Sequence, residues 1–350
     1  MLVSEFDFEL PEDLIAQEAA PRGESRLMVL DRASGRVQHA TIRDLPRFIA
    51  SGDLLVVNNT RVFSARLLGK RVPSGGAVEC LLLGRLGSDG NSELWDALVH
   101  PGQKLKPGSL LRFEGEAGVL KAEVLERRFQ GRRTIRLWAE GGDIDALVDA
   151  LGHVPLPPYI RRGDTVADRE RYQTIFARAR GSVAAPTAGL HFTPDLMADL
   201  DRRGVEQTEI TLHVGYGTFK PVRADHVEDH DVDPEQYEIS PPAADAMNRA
   251  ADAGRRTIAV GTTTTRALEN AALRGGGRIP PGHGTASLFI YPGFHFQVIG
   301  GLLTNFHLPR SSLLILVAAF AGREAVLAAY REAVADRYRF YSYGDAMLIL

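Results

Sequence analysis

At 350 residues, with 41 Lys and Arg against 44 Asp and Glu and a net charge of −3, the chain exceeds the usual size of one core and predicts two domains. A hydrophobic share of 44% and a charged share of 24% describe an ordinary globular protein, and the small net charge excludes indiscriminate coating of nucleic acid while leaving room for a local basic patch. The single cysteine, Cys80, excludes an internal disulfide or a cysteine metal cage and fits a reducing cytoplasm, and the longest apolar stretch, Leu313 to Ala321, is too short for a bilayer span of ~20 residues.

The start, MLVSEFDFELPEDL, has early acids and no basic segment ahead of an apolar one, so it does not read as a secretory signal. A short helix is expected near Pro11 to Ala19, with strands at Leu27 to Asp31 and Asp53 to Asn58. From Phe63 to about Ala150, short apolar runs such as AVECLLL, ELWDALV and the alternating KAEVLERRFQGRRTIRLW are separated by Gly, Pro, Ser and Asn. That rhythm predicts an antiparallel sheet or small barrel. GHVPLPPYIRRGD, at Gly152 to Asp164, reads as a return linker held extended by its prolines.

Beyond the linker, strands and helices alternate. A helix over Pro194 to Arg203, capped by Thr193, precedes a strand over Val205 to Val214; a helix near Pro242 to Ala253 precedes a strand over Arg256 to Val260; a helix follows from Arg266 to Leu273. Ser311 and Ser312 cap a helix containing LLILVAAFAG, and the terminal AMLIL is a last strand with Asp345 at its mouth. The predicted fold is α/β: a mixed-sheet α/β domain, residues 1–62 and 152–350, interrupted by an inserted small antiparallel β-barrel domain, residues 63–151.

The chemistry concentrates in polar, glycine-dotted segments that join apolar runs. GSVAAPTAGLHFT, Gly181 to Thr193, carries no formal charge, and its small residues permit close approach to peptide N–H groups beside the polar tips of Thr187, His191 and Thr193. HVGYGTF (from His213), VGTTTTR (from Val260), LTNFHLP (from Leu303) and YSYGDAM (from Tyr341) have the same character. VGTTTTR ends a strand and starts a helix, a geometry that holds an anion or polar ligand edge or is simply a hydroxyl-rich cap, and it lacks the second glycine and lysine of a P-loop. His191, His213 and His307 are either buried, hydrogen-bonded core histidines or acid/base groups. A zinc triad is disfavoured, since no HxxxH spacing or nearby Cys exists.

Basic residues are sorted along the chain. Arg61, Arg66, Lys70 and Arg71 form one run and Arg127, Arg128, Arg132, Arg133 and Arg136 another, whereas Asp225 to Glu238 holds seven acids and no Lys or Arg. The arginines either solvate exposed strand faces or form a patch for a polyanion.

Together these strings, with DLLVVNNTRVFSARL (from Asp53), RYQTIFAR (from Arg171), LHVGYGTFKPV (from Leu212), FIYPGFHF (from Phe289) and YRFYSYGDAMLIL (from Tyr338), resemble the S-adenosylmethionine:tRNA ribosyltransferase-isomerases of queuosine biosynthesis nearly end to end. The resemblance implies a monomeric cytoplasmic transferase without metal or resident cofactor, S-adenosylmethionine being a consumed substrate. It implies transfer and isomerisation of the ribosyl moiety onto the 7-aminomethyl-7-deazaguanine (preQ1) base at the tRNA wobble position, giving epoxyqueuosine and releasing adenine and methionine. On that basis His213 and His307 are the candidate base and acid, with Asp345 orienting one of them. Thr262, Thr263 and Arg266 are candidates to grip the methionine carboxylate or ribose hydroxyls. Thr187, Gly189, His191 and Phe192 are expected to line a nucleoside pocket, with Asn305 and Tyr343 also binding substrate. Arg61, Arg66, Arg127, Arg128, Arg132 and Arg133 are expected to meet tRNA phosphates. The chain departs from the family pattern at Val232 and Asp233, where a Met-His pair is common before the glutamate, and at Tyr216, a commonly small position.

Overall fold

The computed structural model describes residues 1–219 and 222–350, so Lys220 and Pro221 of the LHVGYGTFKPV string lie outside the described residues. The chain begins with β1 (Arg26–Leu30), β2 (Val37–Thr41), β3 (Leu54–Asn58) and β4 (Thr60–Val62). Then β5 (Arg66–Val72), β6 (Ala77–Asp89), β7 (Ser92–His100), β8 (Leu110–Gly115), β9 (Gly118–Arg127) and β10 (Arg132–Ala139) close into a barrel of order β10-β7-β6-β5-β8-β9. Every neighbouring pair in it is antiparallel. Alternate side chains, among them Leu67, Cys80, Leu82, Leu120 and Ala122, point into its core, as a half-buried strand requires. Helix α1 (Ile144–Leu151) starts on an Asp143 cap that accepts from the Ala146 N–H at 2.8 Å and packs Leu147 and Val148 onto the barrel.

The return segment carries α2 (Val166–Arg171) and leads through β11 (Ala179–Ser182), which pairs in parallel with β4. The rest runs α3 (Pro194–Arg202), β12 (Glu206–Leu212), β13 (Glu235–Ile239), α4 (Pro241–Asp252), β14 (Thr257–Val260), α5 (Thr262–Arg274), β15 (Gly282–Ala286), β16 (Ile299–Asn305), α6 (Ser312–Ala321), α7 (Arg323–Ala335) and β17 (Ala346–Ile349). A nine-stranded sheet forms in the order β15-β13-β12-β3-β14-β16-β17-β1-β2. Its centre, β12-β3-β14-β16, is parallel, and antiparallel neighbours flank it on both sides, so the sheet is mixed.

The period of two explains why the central strands are apolar throughout. In β3, Leu54 and Val56 face the core beneath α4 to α7, while Leu55 and Val57 face the core beneath α3. Both faces are covered by helices. No described helix is long and apolar enough to cross a membrane; α6 and α7 are bent 117° apart at Gly322.

Two elements differ from expectation. The segment near Pro11 to Ala19 forms only a short turn over Glu12–Leu14, because tertiary bonds claim its backbone: Phe340 N–H donates to Leu14 O at 2.8 Å and Ala16 N–H to Phe340 O at 3.2 Å. Helix α5 starts at Thr262 rather than Arg266. A β-branched run is a poor helix start, but the Thr264 and Thr265 hydroxyls donate back to the carbonyls of Val260 (2.7 Å) and Gly261 (3.2 Å), which absorbs their polarity within the turn.

Candidate active site

A solvent-open cleft of about 540 Å³ lies where the C-terminal ends of β14 and β16 meet the start of α5. Gly261, at φ 95°, turns the chain from strand into helix. No side chain caps α5, and Thr262 and Thr263 line the cleft beside the helix N-terminus, whose first N–H groups lack intrahelical acceptors. Thr187, Ala188 and Pro186 also line the cleft, and Thr304, Asn305 and His307 at the end of β16 form a wall completed by Tyr159, Tyr341 and Ser342. No Asp, Glu, Lys or Arg is among the described lining residues. Recognition there falls to dipoles and hydroxyls.

His307 is the imidazole on this wall. It is buried, its Nε2 bonds to Thr304 Oγ1 at 2.9 Å, and its backbone N–H donates to Tyr330 Oη at 3.1 Å. Burial disfavours the imidazolium and lowers the pKa to about 3, so the ring is neutral near pH 7. Asn305 is held from behind. Its amide nitrogen donates to the Tyr341 carbonyl at 3.0 Å and to His191 Nε2 at 3.2 Å, while His191 Nδ1 bonds Ser25 Oγ at 2.9 Å.

The structure places several of the expected site residues away from this cleft. His191 is fully enclosed, with its pKa lowered to about 4 by burial, and does not line the cleft; Phe192 points into the sheet core against Phe176, ring centroids 5.5 Å apart. Neither residue is part of the cleft lining. Gly189 packs tightly on Thr174, whose methyl carbon would lie 2.8 Å from an added Cβ. Asp345 orients neither candidate histidine, because its oxygens accept from the N–H groups of Arg26 (3.0 Å) and Arg339 (2.8 Å) and from the Arg339 side chain. Tyr343 is buried and donates to Asp168 at 2.8 Å, a carboxylate also held by Arg162 and Thr165.

His213 lies outside the lining of the cleft. Its Nδ1 bonds Thr60 Oγ1 at 2.8 Å and its ring covers Gly181, where an added Cβ would sit 2.7 Å away; its neighbour Val214 reaches the wall. Arg266 faces a second cleft of about 510 Å³ that shares Thr218 and Leu313 with the first. Its guanidinium is committed: it donates to Glu235 at 2.8 Å and to the carbonyls of Ala286 and Leu288 at 3.1 Å. Glu235 also accepts from Gly215 N–H at 3.0 Å, and burial raises its pKa despite Arg266. The pair therefore braces the loop after β12 instead of offering a free cation.

The arginine run divides by strand face. Arg133 is buried and spends its guanidinium on the carbonyls of Gly102, Leu105, Gly131 and Arg132. Arg66 is paired with Glu79 through two bonds of 2.8 and 3.0 Å, and Arg132 bridges Asp96 (2.9 Å) on the barrel and Asp233 (2.8 Å) ahead of β13. Asp233, at one of the two family departures, thus ties the barrel to the larger sheet. Arg61, Arg127 and Arg128 remain exposed.

Sequence reasoning missed Ser25, Thr304, Tyr159 and Ser342. Ser25 carries no local signal, whereas Thr304 and Ser342 stand inside two of the polar segments and differ from their neighbours only in where the backbone points them.

The sequence matches the family described as Queuosine biosynthesis protein over residues 3–349. A Heliobacterium modesticaldum protein named S-adenosylmethionine:tRNA ribosyltransferase-isomerase is 52% identical over 351 residues, covering 100% of both chains. A relative of the same name from Anaeromyxobacter is 52% identical over 350 residues, covering 100% of this chain and 99% of its own. The crystal structure of S-adenosylmethionine tRNA ribosyltransferase from Thermotoga maritima is similar at 39% identity and a TM-score of 0.54, covering 99% of this chain and 100% of that one.

Proposed function

Since the chain belongs to the family of queuosine biosynthesis proteins, we propose that it is an S-adenosylmethionine:tRNA ribosyltransferase-isomerase. It moves the ribosyl unit of S-adenosylmethionine onto the 7-aminomethyl group of preQ1 at the tRNA wobble position and isomerises it to the epoxycyclopentanediol, with release of adenine and methionine. The enzyme acts as a cytoplasmic monomer and needs no resident cofactor, because the sulfonium substrate is itself consumed. Residues 1–62 and 152–350 form the catalytic unit, and 63–151 the inserted barrel unit.

The observation that carries this reading is the uncharged cleft that a bare helix start and His307 both line. Protons on a carbon beside a sulfonium are acidified by the positive sulfur. A neutral imidazole can accept one, and transfer from a cationic substrate then moves charge without creating it. Thr304 occupies His307 Nε2, which leaves Nδ1 for the exchange. A donor to the adenine ring then eases its departure, and the incoming amine attacks in its neutral form. His213 acts from behind the wall as a positioning residue for the strand end that leads to Thr187. Arg61, Arg127 and Arg128 supply cations for the tRNA backbone.

Incubation with S-adenosylmethionine and tRNA bearing preQ1, followed by mass spectrometry of nucleosides and small products, tests the reading. Epoxyqueuosine, adenine and methionine are expected. S-adenosylhomocysteine would instead mark a methyltransferase, and binding of tRNA with no consumption of S-adenosylmethionine a non-catalytic binder; either result overturns the assignment.

A further inference from the structure

Asn305 is 3% exposed, and its Oδ1 is a buried acceptor without a hydrogen-bond partner. Such atoms are rare, because an unsatisfied buried acceptor forfeits the hydrogen bonds it makes in water. The amide cannot be turned to hide it: the Tyr341 carbonyl accepts only, so the nitrogen must face it, and the same nitrogen meets His191 Nε2, whose other ring nitrogen is engaged by Ser25. Ser25 and His191 thereby hold the amide in one orientation. Asn305 lines the cleft, so a ligand bound there brings donors close to that oxygen.

The neighbouring groups say what kind of donor. β14 and β16 pair in parallel with Val260 opposite Leu303, and Gly261 N–H donates to Leu303 O at 2.8 Å, so the start of α5 and Asn305 share one wall of the cleft. The helix start attracts an anion, and an amide oxygen attracts a cation. The lining holds no charged side chain among the described residues, which suits a ligand group carrying both signs at once. An α-amino acid end is such a group, with its ammonium and carboxylate on a single carbon.

Resting on the reading of S-adenosylmethionine as substrate, we propose that Asn305 and the start of α5 clamp its methionine end. Asn305 Oδ1 accepts the α-ammonium, and the N–H groups and hydroxyls of Thr262 and Thr263 take the carboxylate. Ser25 and His191 are positioning residues for the amide.

Calorimetry of the full chain with two stable thioether probes tests the clamp: S-adenosylhomocysteine, and its deaminated analogue with a plain carboxypropyl arm. A hydrogen bond to a charged group predicts that the wild type binds S-adenosylhomocysteine about ten- to hundredfold more tightly than the analogue. Asn305→Ala and Asn305→Ser should each erase most of that preference while binding the analogue as the wild type does. Equal affinity of the wild type for both probes overturns the clamp without need of any variant, as does a preference that survives in a folded Asn305 variant. If the wild type binds neither probe and releases no adenine from S-adenosylmethionine with tRNA, the functional reading falls with it; adenine release without a preference refutes the clamp alone.

Discussion

Replacement of His307 by Gln tests the burial of the cleft imidazole through its effect on acid stability. Burial holds His307 near a pKa of about 3, whereas the unfolded chain protonates it around 6.5. Between those values the unfolded state binds about one more proton than the folded state. Stability from this group is therefore complete above pH 6.5 and is lost as pH falls through that window. The slope is 2.3RT per proton, about 1.4 kcal/mol per pH unit. His191, lowered to about 4, adds a similar slope over most of the same range, so the wild type should lose about 3 kcal/mol per unit near pH 5 from these two rings. Urea unfolding of wild type and His307→Gln at several pH values between 4.5 and 7.5 measures the difference, in which shared carboxylate titrations cancel. Gln keeps a polar partner for Thr304 and removes the titration, so the variant's slope should be shallower by about 1.4 kcal/mol per pH unit. Parallel slopes would mean that His307 titrates alike in both states, and the neutral buried imidazole on which its proton-accepting role rests would be wrong.

Arg266→Met should cost about 3–5 kcal/mol by leaving Glu235 buried without its cation, while Glu235→Gln should cost less; a thermal-unfolding double-mutant cycle would measure the coupling, and a cost below about 1 kcal/mol for Arg266→Met would deny that the pair braces the Gly215 loop. Gly181→Ala should destabilise by about 1–3 kcal/mol and lower turnover, because its Cβ would meet the His213 ring at 2.7 Å at a backbone φ of 154°; an unchanged melting temperature would contradict that contact. Combined Arg127→Ala and Arg128→Ala should weaken tRNA binding and reduce the log–log salt slope by about 2, as filter binding across salt concentrations would show. Arg133→Ala should instead destabilise the barrel and leave that slope unchanged, and a slope that did fall would return Arg133 to the phosphate contacts.

Elements with strong local signals were legible in the sequence. Thr193 and Ser311 cap α3 and α6 by accepting from Leu196 and Leu314 N–H groups, a contact three residues long that needs no tertiary partner. The barrel insertion shows as a break in periodicity, because strand alternation is a property of neighbouring residues. The segment near Pro11 to Ala19 misled because its backbone groups bond to Phe340, over three hundred positions away in sequence.

The candidate site divides along the same line. Residue order alone determined the α/β class, the inserted barrel, the family and the polar segments that gather ligand-binding groups. Only the tertiary structure decided which of those groups face the cleft: Thr187, Thr262, Thr263, Asn305 and His307 do, while His213, Asp345, Tyr343 and Arg266 turn to other partners. The reason is that a buried polar side chain must find a partner, and partners such as Ser25 for His191 or Glu235 for Arg266 are set by strand register and helix packing between distant segments. A local string carries the type of a group; the register of the sheet carries its direction.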